Sequence, residues 1–406
     1  MKKIFSILLV LGAVTSCEKL PELLPVVTGE FQTKNCLYGG ELTEETEREA
    51  MRTEGVVYGT KYPLTRLLVK KGKINLVLSK KPAQTTTPLV NVVLLVDFND
   101  FGDTVKNTSW NWAGPFYCPS PNLSVSEKDF ILNRIKEIFA RWGVLVTTDK
   151  EVFLRAPKNK RVRCIVTQNM GAVFSPSGGI AFPGQMDWGD EAPCFVFVDW
   201  LFRNIKNIAE AIAHEFGHAA GNEQHQSLYR ADGTLQTQYN FGLIGGPINV
   251  RPVMGYGYGI GITTWWHGRS AAGYTVIQND SLLSGGRFGE RPDEPSLQTL
   301  GVGETIQAVI VTADEDTYKV VVSAGKTKIQ VTSGGNTKLK VTVLNPAGGV
   351  VKIIDTPTGL DVPETVISNK NGTYYLRVEV STTNLPLGTW DNRPIYGGQY
   401  WITIKN

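Results

Sequence analysis

The sequence predicts an α+β domain, built from a twisted and mostly parallel sheet with long helices, followed by an all-β sandwich. The first observation is a run of β-branched and leucine residues at 89–96, interrupted only by Asn91, which is typical of a buried central strand. The second is a pair of amphipathic helical patterns in the same half of the chain. The third is that the chain from about residue 300 onward contains only short alternating runs separated by Gly, Asn and Pro. A chain of 406 residues is long enough for two or three domains.

Residues 1–17 are predicted to be a lipoprotein signal peptide. Lys2 and Lys3 precede an apolar run at 4–14, which is too short to span a bilayer. The run ends in Val-Thr-Ser-Cys, which resembles the bacterial lipobox and implies that Cys17 is lipidated and becomes the mature N-terminus. The alternative is an ordinary signal peptide with an incidental cysteine. We therefore expect a bacterial outer-membrane lipoprotein, either periplasmic or surface-exposed, that contacts the membrane through Cys17.

Residues 18–88 form a mixed segment that is either an N-terminal subdomain or a pro-segment, and the α+β domain is expected to cover 89–288. A helix is predicted to begin at Ser126, because Asp129 follows three residues later as in a capping box. Its apolar residues recur at helical spacing as far as Gly143. Further strands are expected at 144–147, 162–166 and 195–198.

Residues 178–182 (Gly-Gly-Ile-Ala-Phe) predict an exposed edge strand, with an ordinary loop as the alternative. The free backbone groups of such an edge can pair with an extended peptide. This segment is therefore a candidate for binding a peptide substrate.

The pentapeptide His-Glu-Phe-Gly-His places two imidazoles one helical turn apart around a carboxylate. The core-facing side of this helix carries Ile205, Ile208, Ile212 and Phe216. His214 and His218 project from the other side, where they can share one Zn²⁺ with Glu215 free beside it. Gly221 is expected to end the helix, and His225 is the histidine available as third ligand.

These residues resemble the metzincins, a clan of zinc endopeptidases with the signature His-Glu-x-x-His-x-x-Gly-x-x-His, over about 89–287. Met254, within Pro-Val-Met-Gly-Tyr, resembles the Met-turn of that clan. The matching residues further downstream are Tyr258, Trp266, Gly268 and Asp280, which resemble a bacterial secreted group of the clan. The third histidine of the signature would fall at Gln224, so His225 comes one residue late. A bulge after the helix-ending glycine can absorb that residue.

Other residues remain as alternatives for the third ligand. Glu223 and Asp232 are the fallback ligands if His225 does not reach the metal. His267 lies beside two tryptophans and is expected to be structural or to line the cleft.

The resemblance implies a zinc ion on the three histidines with an open position, which lowers the pKa of a bound water to about 7. Glu215 would take the proton of that water and pass it to the leaving amine. Tyr256 or Tyr258 could donate to the developing oxyanion, or could simply pack in a tight turn. Met254 should pack beneath the metal without binding it.

The cysteines leave two interpretations open. Without Cys17 the chain has Cys36, Cys118, Cys164 and Cys194, and this even number allows two disulfides in an oxidising compartment. Alternatively, the Cys36 thiolate could occupy the open zinc position and keep a precursor inactive, as in cysteine-switch metalloproteases.

Residues 289–299 have the composition of a linker, and 300–406 are predicted to form the sandwich. This last part is similar to the bacterial pre-peptidase C-terminal domain, a sandwich often attached to secreted proteases. The matching stretches are Asp-Glu-Asp-Thr-Tyr at 314–318 and Gly-Thr-Tyr-Tyr-Leu-Arg-Val at 372–378. The sequence leaves Ca²⁺ open as a second cofactor.

The favoured function is that of a lipid-anchored, monomeric zinc endopeptidase acting on proteins or peptides, glycoproteins included. The alternative is a catalytically inactive cell-surface lipoprotein that binds glycan or protein through the sandwich and the cleft. Zinc hydrolysis of another kind of bond fits the ligands but not the Met-turn. No long basic block interleaved with aromatic residues is present, and the net charge is only +3, so nucleic acid is not expected as a partner.

Overall fold

The computed structural model describes residues 91–168, 176–221, 224–259, 261–291, 293–294, 297–312, 314–322, 327–356, 359–367 and 370–406. The predicted signal peptide with Cys17, the segment at 18–88 with Cys36, and the fallback ligand Glu223 lie outside these residues. Among the described helices, none is long and apolar enough to cross a membrane.

The first part of the described chain alternates strands and helices. In chain order it contains β1 (Val92–Asp97), β2 (Asp103–Val105), β3 (Phe116–Cys118), α1 (Val125–Ile138), β4 (Val144–Thr147), α2 (Lys150–Arg155), β5 (Arg161–Thr167), β6 (Gly179–Ile180) and β7 (Cys194–Phe197). It continues with α3 (Ile205–Phe216), a π-helical turn (Gly217–Gly221), β8 (Leu228–Tyr229), β9 (Leu235–Thr237), β10 (Val250–Pro252), β11 (Ile262–Arg269), β12 (Ile277–Asn279) and α4 (Asp280–Phe288).

Five of these strands form one sheet in the order β4-β1-β5-β7-β6, with every pair parallel except β6–β7. The mostly parallel sheet is therefore as expected, and β1 is a buried inner strand. The predicted edge strand is present as the two-residue β6, which pairs antiparallel with β7 at one end of the sheet order.

The capping box of α1 lies two residues earlier than predicted. Ser124, not Ser126, is the N-cap: its backbone is extended, its hydroxyl accepts from Glu127 N, and Glu127 Oε2 accepts from Ser124 N at 2.7 Å. Ser126 and Asp129 lie within the helix instead. The helix also ends at Ile138 rather than near Gly143.

Helices α1 and α3 pack against each other over the sheet. Asn204 caps α3, because its side chain accepts from Lys206 N and Asn207 N. The rings of Phe139 and Phe216 meet edge to face at 5.2 Å between centroids. The shared core also contains Val92, Leu94, Ile131, Ile135, Ile208 and Ile212. This packing fixes α3, which carries His214 and Glu215, while His218 lies in the π-helical turn that follows.

The second part of the described chain is a β-sandwich, as predicted. In chain order it contains β13 (Gln298–Leu300), β14 (Thr305–Val311), β15 (Glu315–Val322), β16 (Lys328–Ser333), β17 (Leu339–Leu344), β18 (Val350–Asp355), β19 (Val362–Val366), β20 (Gly372–Val380), β21 (Asn392–Ile395) and β22 (Gly397–Lys405). One sheet has the order β13-β15-β20-β17-β18 and the other β14-β22-β16-β19. The described residues of this part contain no helix, and alternate side chains of both sheets form one apolar core.

The two parts are joined more closely than a linker at 289–299 implies. Strand β21 leaves the sandwich and pairs antiparallel with β11, so it completes a sheet of the first part. On α1, Glu137 places its carboxylate against the sandwich, where it accepts from Asn336 N at 3.2 Å and Gln399 N at 3.0 Å. Linker residue Glu290 also forms a β-bridge with Trp142.

The two disulfides that the sequence allowed are excluded, because Cys118, Cys164 and Cys194 are all buried free thiols. Cys164 and Cys194 are register partners on β5 and β7 and belong to the same apolar core, whereas Cys118 belongs to a separate cluster. All three act as small apolar core residues.

Candidate functional site

His214 is held in one orientation by the chain segment that follows β10. Its Nδ1–H donates to the carbonyl oxygen of Val253 at 2.7 Å, so the lone pair of its Nε2 points away from that contact. Nε2 of His214 lies 3.1 Å from Nε2 of His218. His214 on α3 and His218 in the π-helical turn after it thus bring their Nε2 atoms together.

His225 joins the other two histidines although it comes one residue later than in the signature. Its ring centroid lies 5.2 Å from that of His214 and 4.8 Å from that of His218. One ring nitrogen of each histidine lies within 4.8 Å of the others. A tetrahedral zinc with nitrogens at 2.0–2.1 Å needs nitrogens roughly 3.3 Å apart. Small ring movements are sufficient to reach that geometry.

Backbone hydrogen bonds hold the third-ligand segment on both sides. Gln224 exchanges two bonds with the side-chain amide of Gln278, at 2.9 and 2.8 Å. The carbonyl of His225 accepts from Ala271 N at 2.8 Å, and Gln226 N donates to the carbonyl of Met254 at 2.7 Å. The segment is therefore fixed to the Met-containing turn and to the chain around β12.

The protonation states suit metal binding. Burial lowers the pKa of His214 to about 4, although its bond to Val253 works in the opposite direction. Burial, followed by the neighbouring charges of His218 and His214, also lowers the pKa of His225. Both rings are neutral at pH 7 and offer lone pairs. Three converging imidazoles, one with its tautomer fixed through a carbonyl, are a donor set that fits Zn²⁺.

Glu215 lies beside this group and directly under β6. It is only 7% exposed, and burial raises the pKa of its carboxyl well above 4.5. A Cβ placed on Gly179 would lie 2.7 Å from both Cγ and Oε1 of Glu215. The candidate general base and the candidate peptide-binding edge are thus in contact.

Two residues near the histidines were not predicted. Tyr239 has its ring centroid 4.4 Å from that of His225 and 6.2 Å from that of His214. Burial and then the charge of Glu215 raise the pKa of its hydroxyl. The side-chain amide of Gln238 lies 3.3 Å from Nδ1 of His225. The atom that faces Nδ1 is the amide nitrogen of Gln238. With the amide turned over, its oxygen would accept Nδ1–H and leave Nε2 of His225 free for a metal.

The predicted oxyanion donors lie along the turn that follows Met254. Tyr256 is 7% exposed and packs against the rings of Tyr258 and Phe241, with centroids at 5.1 and 5.8 Å. Tyr258 extends towards β6, since a Cβ on Gly178 would lie 2.9 Å from its hydroxyl. Met254 itself is fully buried in the core next to Val253.

The alternative ligands lie elsewhere. The carboxylate of Asp232 accepts from Thr234 N at 2.9 Å and from the Thr234 hydroxyl at 2.7 Å, so it closes its own exposed turn. His267 lies on β11 between Asn279 of β12 and Arg393 of β21. Neither belongs to the group of converging histidines.

A second group of potential metal ligands lies where the linker meets the sandwich. Asp293, Glu294 and Asp316 each place one carboxylate oxygen within 4.8 Å of the others. Burial raises the pKa of Asp316 to about 7, while the Tyr400 hydroxyl, which donates to it at 2.6 Å, works in the opposite direction. Three carboxylates are ligands of the kind that Ca²⁺ prefers.

Comparison with known proteins identifies one domain. Residues 314–379 match the model of the bacterial pre-peptidase C-terminal domain. The sandwich thus contains a pre-peptidase C-terminal domain. Such domains are typical of secreted peptidases. No curated protein matches the chain.

Solved structures similar to the chain include two small bacterial proteins or domains. One is the pre-peptidase C-terminal domain of a Bacillus anthracis collagenase, at 20% identity, covering 28% of this chain and 98% of that one with a TM-score of 0.22. Another is PliG of Aeromonas hydrophila, a periplasmic inhibitor of g-type lysozyme, at 12% identity, covering 28% and 100% with a TM-score of 0.20.

Proposed function

We propose that this chain is a zinc-dependent endopeptidase of the metzincin type. The observation that carries the proposal is the convergence of His214, His218 and His225 beside the buried Glu215, under β6, which ends the sheet order among the described strands. A pre-peptidase C-terminal domain in the same chain agrees with a peptidase.

In the proposed reaction, a zinc ion held by the three histidines supplies Lewis acidity and makes a bound water acidic near neutral pH. Glu215 takes a proton from the attacking water and returns it to the amine of the leaving product. The buried position that raises the pKa of Glu215 suits this role, because it favours the protonated state that must exist between the two transfers.

The edge strand β6 supports a peptide as substrate rather than a smaller ester or amide. An extended peptide could pair with the side of β6 that faces away from β7, at Gly179, where the Ser177 hydroxyl now donates to the carbonyl oxygen at 2.9 Å. The contact between Gly179 and Glu215 then brings a peptide bond of the paired substrate close to the general base.

The tyrosine roles remain proposals. Tyr256 and Tyr258 were expected as oxyanion donors, and both lie in the turn that follows Met254. Tyr239 lies closer to the histidine rings and is a further candidate for the same role.

We further propose the cellular setting that the N-terminal sequence favours. Lipidated Cys17 would anchor a monomer in a bacterial outer membrane, facing the periplasm or the outside, with proteins, peptides or glycoproteins as substrates and no role for nucleic acid. The group Asp293, Glu294 and Asp316 is a candidate for the calcium site that the sequence left open.

The proposal is tested with the mature chain and two variants. Wild-type protein should contain about one zinc per chain by elemental analysis and should cleave a quenched fluorescent casein. Glu215→Gln should retain zinc but lose at least about 100-fold in cleavage, whereas His225→Ala should lose zinc. Asp232→Asn, which changes an exposed carboxylate outside the site, is the matched control and should behave like wild type.

Two results would contradict the proposal. Cleavage that survives Glu215→Gln would remove the assigned general base. Wild-type protein that takes up no zinc, and binds glycan or protein without cleaving it, would favour the inactive binding lipoprotein instead.

A further inference from the structure

Strand β21 of the C-terminal part pairs with a strand of the first part of the molecule. Strand β21 pairs antiparallel with β11, with Asn392 opposite Gly268 and Ile395 opposite Trp265. Arg269, at the end of β11, also pairs with Asp391 at 2.8 Å. Strand β21 therefore belongs to the same sheet as β11 and β12.

Asn392 contributes one side-chain oxygen that accepts two hydrogen bonds from the first part. The indole N–H of Trp266 donates to Oδ1 at 2.8 Å, and the side-chain amide of Asn240 donates to the same oxygen at 2.8 Å. Trp266 and Asn240 are both almost fully buried. Removal of this oxygen would leave two buried N–H groups without an acceptor.

The contact between Asn392 and Asn240 leads to the segment that carries the third ligand. Asn240 donates through its backbone N–H to the carbonyl of Gln226 at 2.7 Å, and its own carbonyl accepts from Tyr256 N at 2.8 Å. Its Oδ1 accepts from Gly242 N at 2.8 Å. Gln226 follows His225 in the chain, and Asn240 follows Tyr239. A shift of Asn240 therefore moves the segment that carries the third ligand together with the tyrosine ring beside it.

The contact between Asn392 and Trp266 reaches the same segment by a different route. The backbone N–H of Trp266 donates to Oδ2 of the buried Asp280 at 3.0 Å, and Oδ1 of Asp280 accepts from the side chain of Gln226 at 2.7 Å. Gln226 is itself fully buried. Both routes from Asn392 thus end at the residue next to His225.

We propose that Asn392 of the sandwich is a positioning residue for the third metal ligand, so that the C-terminal domain is a structural component of the metal site. This inference rests on the proposed function. It assigns the domain a role at the site itself, where residues beyond the ligands commonly change metal affinity 10–100-fold.

The test uses the full mature chain and compares the same Asn→Ala substitution at two positions of the sandwich. Asn392→Ala removes the shared acceptor. Asn392→Asp keeps an oxygen that can accept both N–H groups and is the conservative rescue. Asn345→Ala is the matched control, because Asn345 also accepts two backbone N–H groups, at 2.9 Å each, within an exposed turn of the same sandwich.

The measurement is zinc affinity by competition with a chromophoric chelator, together with the visible absorption of the Co²⁺-substituted protein. Asn392→Ala should bind zinc at least about tenfold more weakly and show an altered Co²⁺ spectrum. Asn392→Asp should stay within about threefold of wild type, and Asn345→Ala should be unchanged. Trp266→Phe, which removes the indole N–H together with part of the buried ring, leaves the Asn240 contact in place and serves as the second variant if Asn392→Ala does not fold.

The outcomes separate the two proposals. Wild-type zinc affinity and spectrum in a folded Asn392→Ala or Trp266→Phe protein would overturn the positioning role while leaving the peptidase proposal intact. Equal loss in Asn345→Ala would also overturn it, since the effect would then be general to the sandwich. A wild-type chain without measurable zinc affinity would overturn the proposed function, and this inference with it.

Discussion

Gly179→Ala is the sharpest test of whether the edge strand and the general base act as one unit. The added Cβ would lie 2.7 Å from Cγ and Oε1 of Glu215 and 2.8 Å from the carbonyl oxygen of Phe195, whereas ordinary contacts begin at 3.4 Å. The distances are therefore shorter than an ordinary contact by 0.7 Å at Glu215 and by 0.6 Å at the Phe195 carbonyl. Because the backbone of β7 is held in the sheet, Glu215 or β6 must give way by about that amount.

A displacement of this size predicts a large catalytic loss with little effect on metal binding. Misplacement of a catalytic group by about 1 Å costs on the order of 100-fold, so we expect kcat to fall roughly 10–100-fold. The overpacking should also lower the free energy of unfolding by about 1–3 kcal/mol. Zinc content should stay at the wild-type level, because none of the three contacted atoms belongs to a histidine.

The assay is steady-state cleavage of a peptide substrate, with zinc content and thermal unfolding measured on the same preparation. Gly246→Ala is the matched control, since the nearest atom to its added Cβ is a carbonyl oxygen at 3.9 Å. An unchanged kcat in a folded, zinc-loaded Gly179→Ala protein would refute the argument that β6 positions Glu215. Loss of zinc would also refute it, because the disturbance would then extend to the ligands.

Three further predictions concern the domain contact and the core. Burial raises the pKa of Glu137 from 4.5 to about 8, so its stabilising contribution is complete below pH 4.5 and is lost as the pH rises to 8. The free energy of unfolding of wild type relative to Glu137→Gln should therefore fall by about 4 kcal/mol over that window in denaturant titrations, and a constant difference would contradict this. In Gly398→Ala the added Cβ would overlap the Glu137 carboxylate. The free energy of unfolding should fall by about 1–3 kcal/mol, and the melting temperature with it. A melting temperature equal to that of Gly246→Ala would show that the Glu137 carboxylate moves aside without cost. Cys118, Cys164 and Cys194 should react with a thiol reagent only on unfolding, because all three are buried. Burial raises the pKa of Cys118 to about 12, and it also raises the pKa of Cys164. Rapid reaction of the native protein would contradict their burial.

Local patterns in the sequence were sufficient for the parts of the fold that depend on local rules. The run at 89–96 predicted an inner strand, and β1 occupies Val92–Asp97. The spacing of His214, Glu215 and His218 follows from helix geometry alone, so their grouping could be predicted. The sandwich followed from alternation and turn residues in the same way.

Features that depend on contacts distant in sequence could not be predicted. Ser124 and Ser126 both precede an acidic residue by three positions, and only the extended backbone at Ser124 decides which one caps the helix. Tyr239 follows a short hairpin without a motif, and it reaches the histidines because Asn240 is bonded to Gln226. Strand β21 shows no sign in the sequence that its partner is β11 rather than a neighbour in the sandwich.

The end of α3 bears on the late third histidine. Residues Gly217–Gly221 form a π-helical turn, which contains more residues per turn than the α-helix before it. A turn of this kind is one way in which the chain can take up the additional residue before His225. Since the bonds of His225 and Gln226 to Ala271 and Met254 fix the far side of the segment, the offset changes the spacing along the chain without separating the three rings.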